Sequence, residues 1–117
     1  MKARLVGFGA IDVGGQTYDH DVVIAGGQVR KRKKKPSRPH RDEYGHTPLT
    51  SAEDLPWGGD RLIIGTGAYG SLPVTPDVFD EAGRRGVHVD AVPTVEACRL
   101  IADLDARQVH AVLHVTC

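Results

Sequence analysis

From Arg61 to Val115 the chain alternates short apolar runs with two stretches of helical periodicity, and few architectures accommodate that order. Arg61-Leu62-Ile63-Ile64 reads as a buried strand. Thr75 then stands where a helix cap is wanted. Pro76 is at the first helical position, and Asp77, Asp80 and Glu81 sit near the positive end. Val78, Phe79 and Ala82 form the apolar side of that helix, and Arg84-Arg85-Gly86 makes an ordinary ending. Val87–Val92 is the next strand. Pro93-Thr94 opens a second helix with Ala97, Leu100, Ile101 and Leu104 on one face, and Val109–Val115 is the last strand. Strand, helix, strand, helix, strand implies an α/β layer architecture. The expected core comprises Leu62, Ile63, Ile64, Phe79, Val87, Val89, Leu100, Ile101, Leu104, Val109, Ala111, Leu113 and Val115.

The preceding half reads as β. Ile11 and Val13 alternate with polar neighbours, Gly14-Gly15 signals a two-residue turn, and Thr17-Tyr18 resumes beyond it. Asp21-Val22-Val23-Ile24 is a second short run closed by Gly26-Gly27, and Val29 opens a segment that dissolves into lysines. Glycines interrupt every helical window here, so a meander of short strands is expected. Residues 33–44 carry two prolines, many charges and no periodicity, and read as a basic, mobile loop. Thr50-Ser51-Ala52-Glu53 has the pattern of a capping box for one or two helical turns reaching Leu55.

The chain has 117 residues, enough for one domain over 1–117 that holds itself by a core. Its only cysteines are Cys98 and Cys117, which fits a reducing compartment rather than a disulfide framework. No run approaches the roughly 20 apolar residues of a membrane span. The first residues resemble neither a signal sequence nor a transit peptide, so the expected address is the cytoplasm. Fifteen Lys and Arg balance fifteen Asp and Glu, yet eight of those basic residues lie between Arg30 and Arg41.

Several motifs occur in a fixed order: Asp21-Val22-Val23-Ile24, Gly45-His46-Thr47-Pro48-Leu49, Gly65-Thr66-Gly67-Ala68-Tyr69-Gly70-Ser71-Leu72-Pro73, Val92-Pro93-Thr94 and Val112-Leu113-His114-Val115-Thr116-Cys117. The set resembles a family of small α/β proteins that includes the adipogenesis-associated domain-containing protein and an assembly factor of mitochondrial respiratory complex I. That resemblance implies a single three-layer domain with a mixed central sheet, one antiparallel strand in it, and an attached small β-meander. It supplies no catalytic residues.

Gly65-Thr66-Gly67-Ala68-Tyr69-Gly70 spells GxGxxG after a strand, and Asp90 follows twenty residues beyond Gly70. A dinucleotide site needs the helix to start inside the glycines so that its N–H groups meet the pyrophosphate. Here Pro73 obstructs such a helix, and no cofactor is expected. A milder role remains, with Gly65, Thr66, Gly67, Tyr69, Gly70 and Ser71 forming a ligand- or partner-binding rim whose successive N–H groups cradle an anion. The competing reading is that the glycines only permit tight packing.

Arg30-Lys31-Arg32-Lys33-Lys34-Lys35 has no interleaved aromatic residue, so a solvated edge is preferred over nucleic-acid contact. In Tyr18-Asp19-His20-Asp21, neighbouring side chains of a strand point to opposite faces, which suits a turn better than an acid–base pair. His110 and His114 share a strand face roughly 13 Å apart, too far for a common metal. Neither metal nor catalytic residues are assigned. Cys117 beside a carboxylate is a poor nucleophile and is expected to pack. The functional reading is a non-enzymatic interaction or assembly module with a protein partner, as monomer or homo-oligomer. The alternative is a small enzyme or sensor holding an anionic metabolite at the Gly65–Gly70 loop.

Overall fold

A computed structural model describes all 117 residues. Two sheets are formed. Strands β1 (Ala3–Gly7), β2 (Ala10–Val13) and β3 (Gln16–Tyr18) make an antiparallel meander in that order. Strands β4 (Val22–Ala25), β5 (Gln28–Lys31), β6 (Arg61–Gly65), β7 (His88–Val92) and β8 (His110–Leu113) make the main sheet, in the order β5-β4-β8-β6-β7. Strands β6, β7 and β8 run parallel, and β4 is antiparallel to both β8 and β5. Gly14-Gly15 and Gly26-Gly27 close the β2–β3 and β4–β5 hairpins with φ of 60° and 87°, and of 57° and 85°. Positive φ at both central residues matches the right-handed twist of the strands, and glycine adopts it at no steric cost.

Three helices complete the domain: α1 (Arg41–Tyr44), α2 (Pro76–Arg85) and α3 (Thr94–Ala102). Because side chains of a strand alternate between faces, the central strand β8 serves two cores. Val109, Ala111, Leu113 and Val115 face Ile11 and Val13 of the meander and Ala97 and Ile101 of α3. Val112 faces the other way, with Leu62, Ile64, Leu49, Leu72 and Val78 of α2. The result is a three-layer α/β domain with a mixed central sheet and a small meander. No helix is long and apolar enough to cross a membrane.

The structure departs from the expectations at particular residues. β4 and β5 belong to the main sheet, because β4 pairs along β8 instead of continuing the meander. Phe79 is 45% exposed, whereas Val78 and Ala82 carry the apolar stripe of α2. Val87, Val89, Leu100 and Leu104 pack at the core margin and not inside it. Residues 33–44 are not an irregular loop. Lys35–His40 form a 3-10 helix that runs directly into α1, and Ser37 is fully buried. Thr50–Glu53 makes only a turn, with Glu53 N–H donating to the Thr50 carbonyl, because the Glu53 carboxylate is drawn to Arg32 instead.

Candidate functional site

The glycine loop closes against the C-terminal segment. The Thr66 N–H donates to Val92 O, Gly67 N–H to Thr94 Oγ1, Ala68 N–H to Thr116 O, and Gly70 N–H to Gly67 O. The N–H groups of Tyr69 and Ser71 both donate to the backbone oxygen of Cys117, at 3.1 and 2.9 Å. Every N–H from Thr66 to Leu72 is thus engaged within the chain, and the expected concavity of free donors is a packed corner. Gly67 has φ of 109°, and a Cβ built there would lie 2.3 Å from the Cys117 carbonyl carbon. Gly65, Thr66 and Gly67 are buried, and Tyr69, Gly70 and Ser71 are exposed. Tyr69, 76% exposed, stands with its ring centroid 6.1 Å from that of Phe8 in the β1–β2 turn.

Along the same C-terminal segment lies a cleft of about 670 Å³. Lys34, Arg38 and Arg41 come from the end of the basic run and the helical turns that follow it. His46 and Thr47 come from the turn after α1, Ser71 and Leu72 from the end of the glycine loop, and His114, Thr116 and Cys117 from beyond β8. None of the twelve lining residues is acidic. Lys34, Arg38 and Arg41 are exposed and take part in no ion pair. The cleft therefore presents three basic side chains without an ion-pair partner.

The remaining basic lining residue differs in kind. Arg32 is 5% exposed and fully committed below the cleft. Its Nε and Nη2 donate to the two Glu53 oxygens at 2.8 Å each, Nη2 also to the Pro48 carbonyl, and Nη1 to Asp21 Oδ2 at 2.9 Å. Ser37 Oγ donates to Glu53 and adjoins Thr50 Oγ1 at 2.8 Å. Burying two carboxylates is tolerable because a planar guanidinium satisfies them in a fixed fork. Burial works against the Arg32 charge, but the bonds and charges of Glu53 and Asp21 outweigh it and hold the guanidinium charged. This network ties down the 3-10 helix through Ser37, while Lys34, Arg38 and Arg41 line the cleft unpaired. Within the basic run Arg32 is thus buried, against the expectation of a solvated edge, whereas Lys31, Lys33, Lys34 and Lys35 are exposed as expected.

Asp21 links that network to the cleft floor. Its Oδ2 also receives His114 Nδ1 at 2.8 Å, and its Oδ1 receives the Val115 N–H at 2.9 Å. Burial raises the Asp21 carboxyl, yet His114, the Val115 N–H and Arg32 together lower it to about 2. An ionised carboxylate has no proton to donate, so Nδ1 of His114 must carry the hydrogen of this bond. The lone pair of neutral His114 is then on Nε2, which lies 3.2 Å from Thr116 Oγ1. A hydrogen-bonded Asp–His–Thr array follows, with His114 and Thr116 in the cleft lining and Asp21 outside it.

Other candidate groups are dispersed. His20 Nδ1 bonds the Asp21 carbonyl, His88 and Arg61 pair with Asp90, and His110 lies against Gly58 and Gly59. Cys98 is buried in the core, where desolvation raises its thiol despite a backbone hydrogen bond from Leu5. No three His, Cys, Asp or Glu side chains converge as metal ligands. The pairing of Asp21 with His114 spans 93 residues, and no local spacing announces it. Its only signal is register: Val22 opposes Leu113 in the β4–β8 ladder, so Asp21 and His114 are the next opposed pair.

Comparison with known proteins gives a consistent kinship. A family model described as "Protein of unknown function (DUF498/DUF598)" matches residues 4–114. The crystal structure of conserved hypothetical protein PH1505 from Pyrococcus horikoshii OT3 is similar over the full length of both chains, with 31% identity and a TM-score of 0.76. A structure described as MT938 is 25% identical over 99% of this chain and 98% of its own, with a TM-score of 0.67. The NMR structure of Xanthomonas campestris XCC1710 shares the fold, at 15% identity over 98% of this chain and 86% of its own, with a TM-score of 0.60. No curated protein matches the chain.

Proposed function

We propose that this chain, which belongs to the DUF498/DUF598 family of proteins of unknown function, binds a small anionic ligand in the basic cleft. One observation carries the reading: Lys34, Arg38 and Arg41 converge on a cavity of about 670 Å³ with no acidic side chain in its lining. Like charges brought together cost free energy unless a counter-charge arrives, and none of these three side chains has an ion-pair partner in the fold. A cavity of this volume admits a metabolite with a phosphate or carboxylate group. Thr47, Ser71 and Thr116 add hydroxyls that orient it.

Calorimetric titration with inorganic phosphate tests the reading. Binding that weakens as salt is added, and that falls at least about tenfold in Arg38→Ala/Arg41→Ala, supports it, since each lost charge-assisted contact removes about 1.5–3 kcal/mol. Unchanged binding in the double variant, or none in the parent, overturns it.

A second reading is an interaction or assembly module, favoured by the exposed Phe8–Tyr69 pair and by the family resemblance of the motifs. Paired aromatic rings in water are common anchors of protein interfaces. The glycine-loop residues Tyr69, Gly70 and Ser71, a protein partner and a cytoplasmic address belong to this reading. It is compatible with the first, because neither Phe8 nor Tyr69 lines the cleft.

A further inference from the structure

We propose that His114 and Thr116, at the edge of the cleft and backed by Asp21, form a catalytic site that hydrolyses acyl phosphates, with Thr116 as nucleophile. The inference rests on the anion-binding reading above and adds a reaction to it. Its geometry has three parts. Asp21 Oδ2 fixes His114 Nδ1 at 2.8 Å, so the imidazole is held in one tautomer and one orientation. His114 Nε2 meets Thr116 Oγ1 at 3.2 Å, within reach to take the hydroxyl proton. Both His114 and Thr116 line the cavity that presents Lys34, Arg38 and Arg41.

The surroundings select the substrate class. The cationic wall of Lys34, Arg38 and Arg41 calls for a substrate that carries a phosphate, and no acidic side chain in the lining repels it. The backbone N–H groups of the adjoining loop are engaged and give no oxyanion hole. What the site offers is a nucleophile, a base and a cationic wall. An acyl phosphate suits that set, because its carbonyl is already activated and its phosphate is a good leaving group whose charge the cationic wall meets.

The reaction closes in two steps. Thr116 Oγ1 attacks the acyl carbon while its proton passes to His114 Nε2. The tetrahedral adduct collapses with cleavage of the acyl carbon–oxygen bond, and phosphate leaves with the electron pair, held by Lys34, Arg38 and Arg41, and takes the proton from Nε2. Water then attacks the acyl-Thr116 ester, giving one proton to Nε2. Thr116 departs with the bonding pair and recovers that proton. The net change is acyl phosphate plus water to carboxylic acid plus phosphate. Asp21 touches no reacting atom and is a positioning residue.

The test uses the full chain, acetyl phosphate as substrate, and phosphate release as readout. Thr116→Val and His114→Gln should each lower kcat by about 100-fold or more, the usual scale for loss of a general base or its nucleophile. Thr116→Ser should recover part of the rate lost in Thr116→Val, and the parent should show an acetyl adduct on Thr116 by mass spectrometry. Asp21→Asn should move the pH profile of kcat, which a purely structural residue would not do. Binding of inorganic phosphate by each variant reports folding and the cleft together. A parent that binds phosphate but hydrolyses acetyl phosphate no faster than Thr116→Val overturns this inference and leaves the anion-binding reading standing. A parent that does not bind phosphate overturns both.

Discussion

Asp21 and His114 stand directly across the β4–β8 ladder from each other, one residue beyond the Val22–Leu113 pair, and their side chains meet at 2.8 Å. The antiparallel strand β4 thus contributes a positioned carboxylate to the same sheet end from which β8 delivers His114 and Thr116. The same carboxylate binds Arg32, so the orientation of His114 and the anchoring of the basic segment share one group.

Asp21→Asn should cost stability with a defined pH signature. The carboxyl titrates near 3.8 when unfolded and about 2 in the fold, so its contribution is complete above the unfolded value and is lost as pH falls through the folded one. The depression corresponds to about 2 kcal/mol at neutral pH. Urea denaturation of parent and variant at pH 7 and at pH near 2 checks this. The difference should be largest at pH 7 and nearly gone at the acid end.

Glu53→Gln should be more damaging than its position in a turn suggests. It leaves Arg32 buried with half its counter-charge missing, and breaking a buried pair from one side costs about 3–5 kcal/mol. Thermal melting should show the loss. If the 3-10 helix depends on this network, proteolysis within residues 33–44 should also become faster.

The core predictions separate two neighbours on α3. Ile101 is fully buried between α3 and the sheet, whereas Leu100 packs at the margin. Ile101→Ala should cost about 2–5 kcal/mol through lost transfer energy and the cavity left behind. Leu100→Ala should cost clearly less in the same denaturation series. Phe79→Ala, on an exposed ring, should be milder still.

The glycine loop yields a contrasting pair. Gly67→Ala places a methyl group against the Cys117 backbone at a φ of 109°, so both sterics and backbone strain oppose it. A loss of at least about 1 kcal/mol is expected. Tyr69→Ala removes a ring that stands largely in solvent and should leave the melting temperature nearly unchanged. A fluorescence-monitored melt distinguishes the two.

Much of the fold was legible in local patterns, for physical reasons that act locally. The glycine pairs at 14–15 and 26–27 specify hairpin turns because only glycine takes both positive φ values cheaply. Val78 and Ala82, and Ala97 and Ile101, mark the buried sides of α2 and α3 because a helix repeats every 3.6 residues. The GxGxxG spelling misled only on paper, since Pro73 and the start of α2 at Pro76 keep any helix terminus out of the glycines.

Only the tertiary structure decided where chemistry could gather. A run of lysines and arginines says nothing of which member is buried. Arg32 became the centre of an ion network because Glu53 and Asp21 reach it from 21 and 11 residues away, while Lys34, Arg38 and Arg41 were turned into the cleft by the 3-10 helix and α1. His114 read as one of several scattered histidines until pairing of β4 with β8 set Asp21 beside it. Sheet register couples residues by strand order and not by sequence spacing, so the array at the cleft edge exists only once the sheet is assembled.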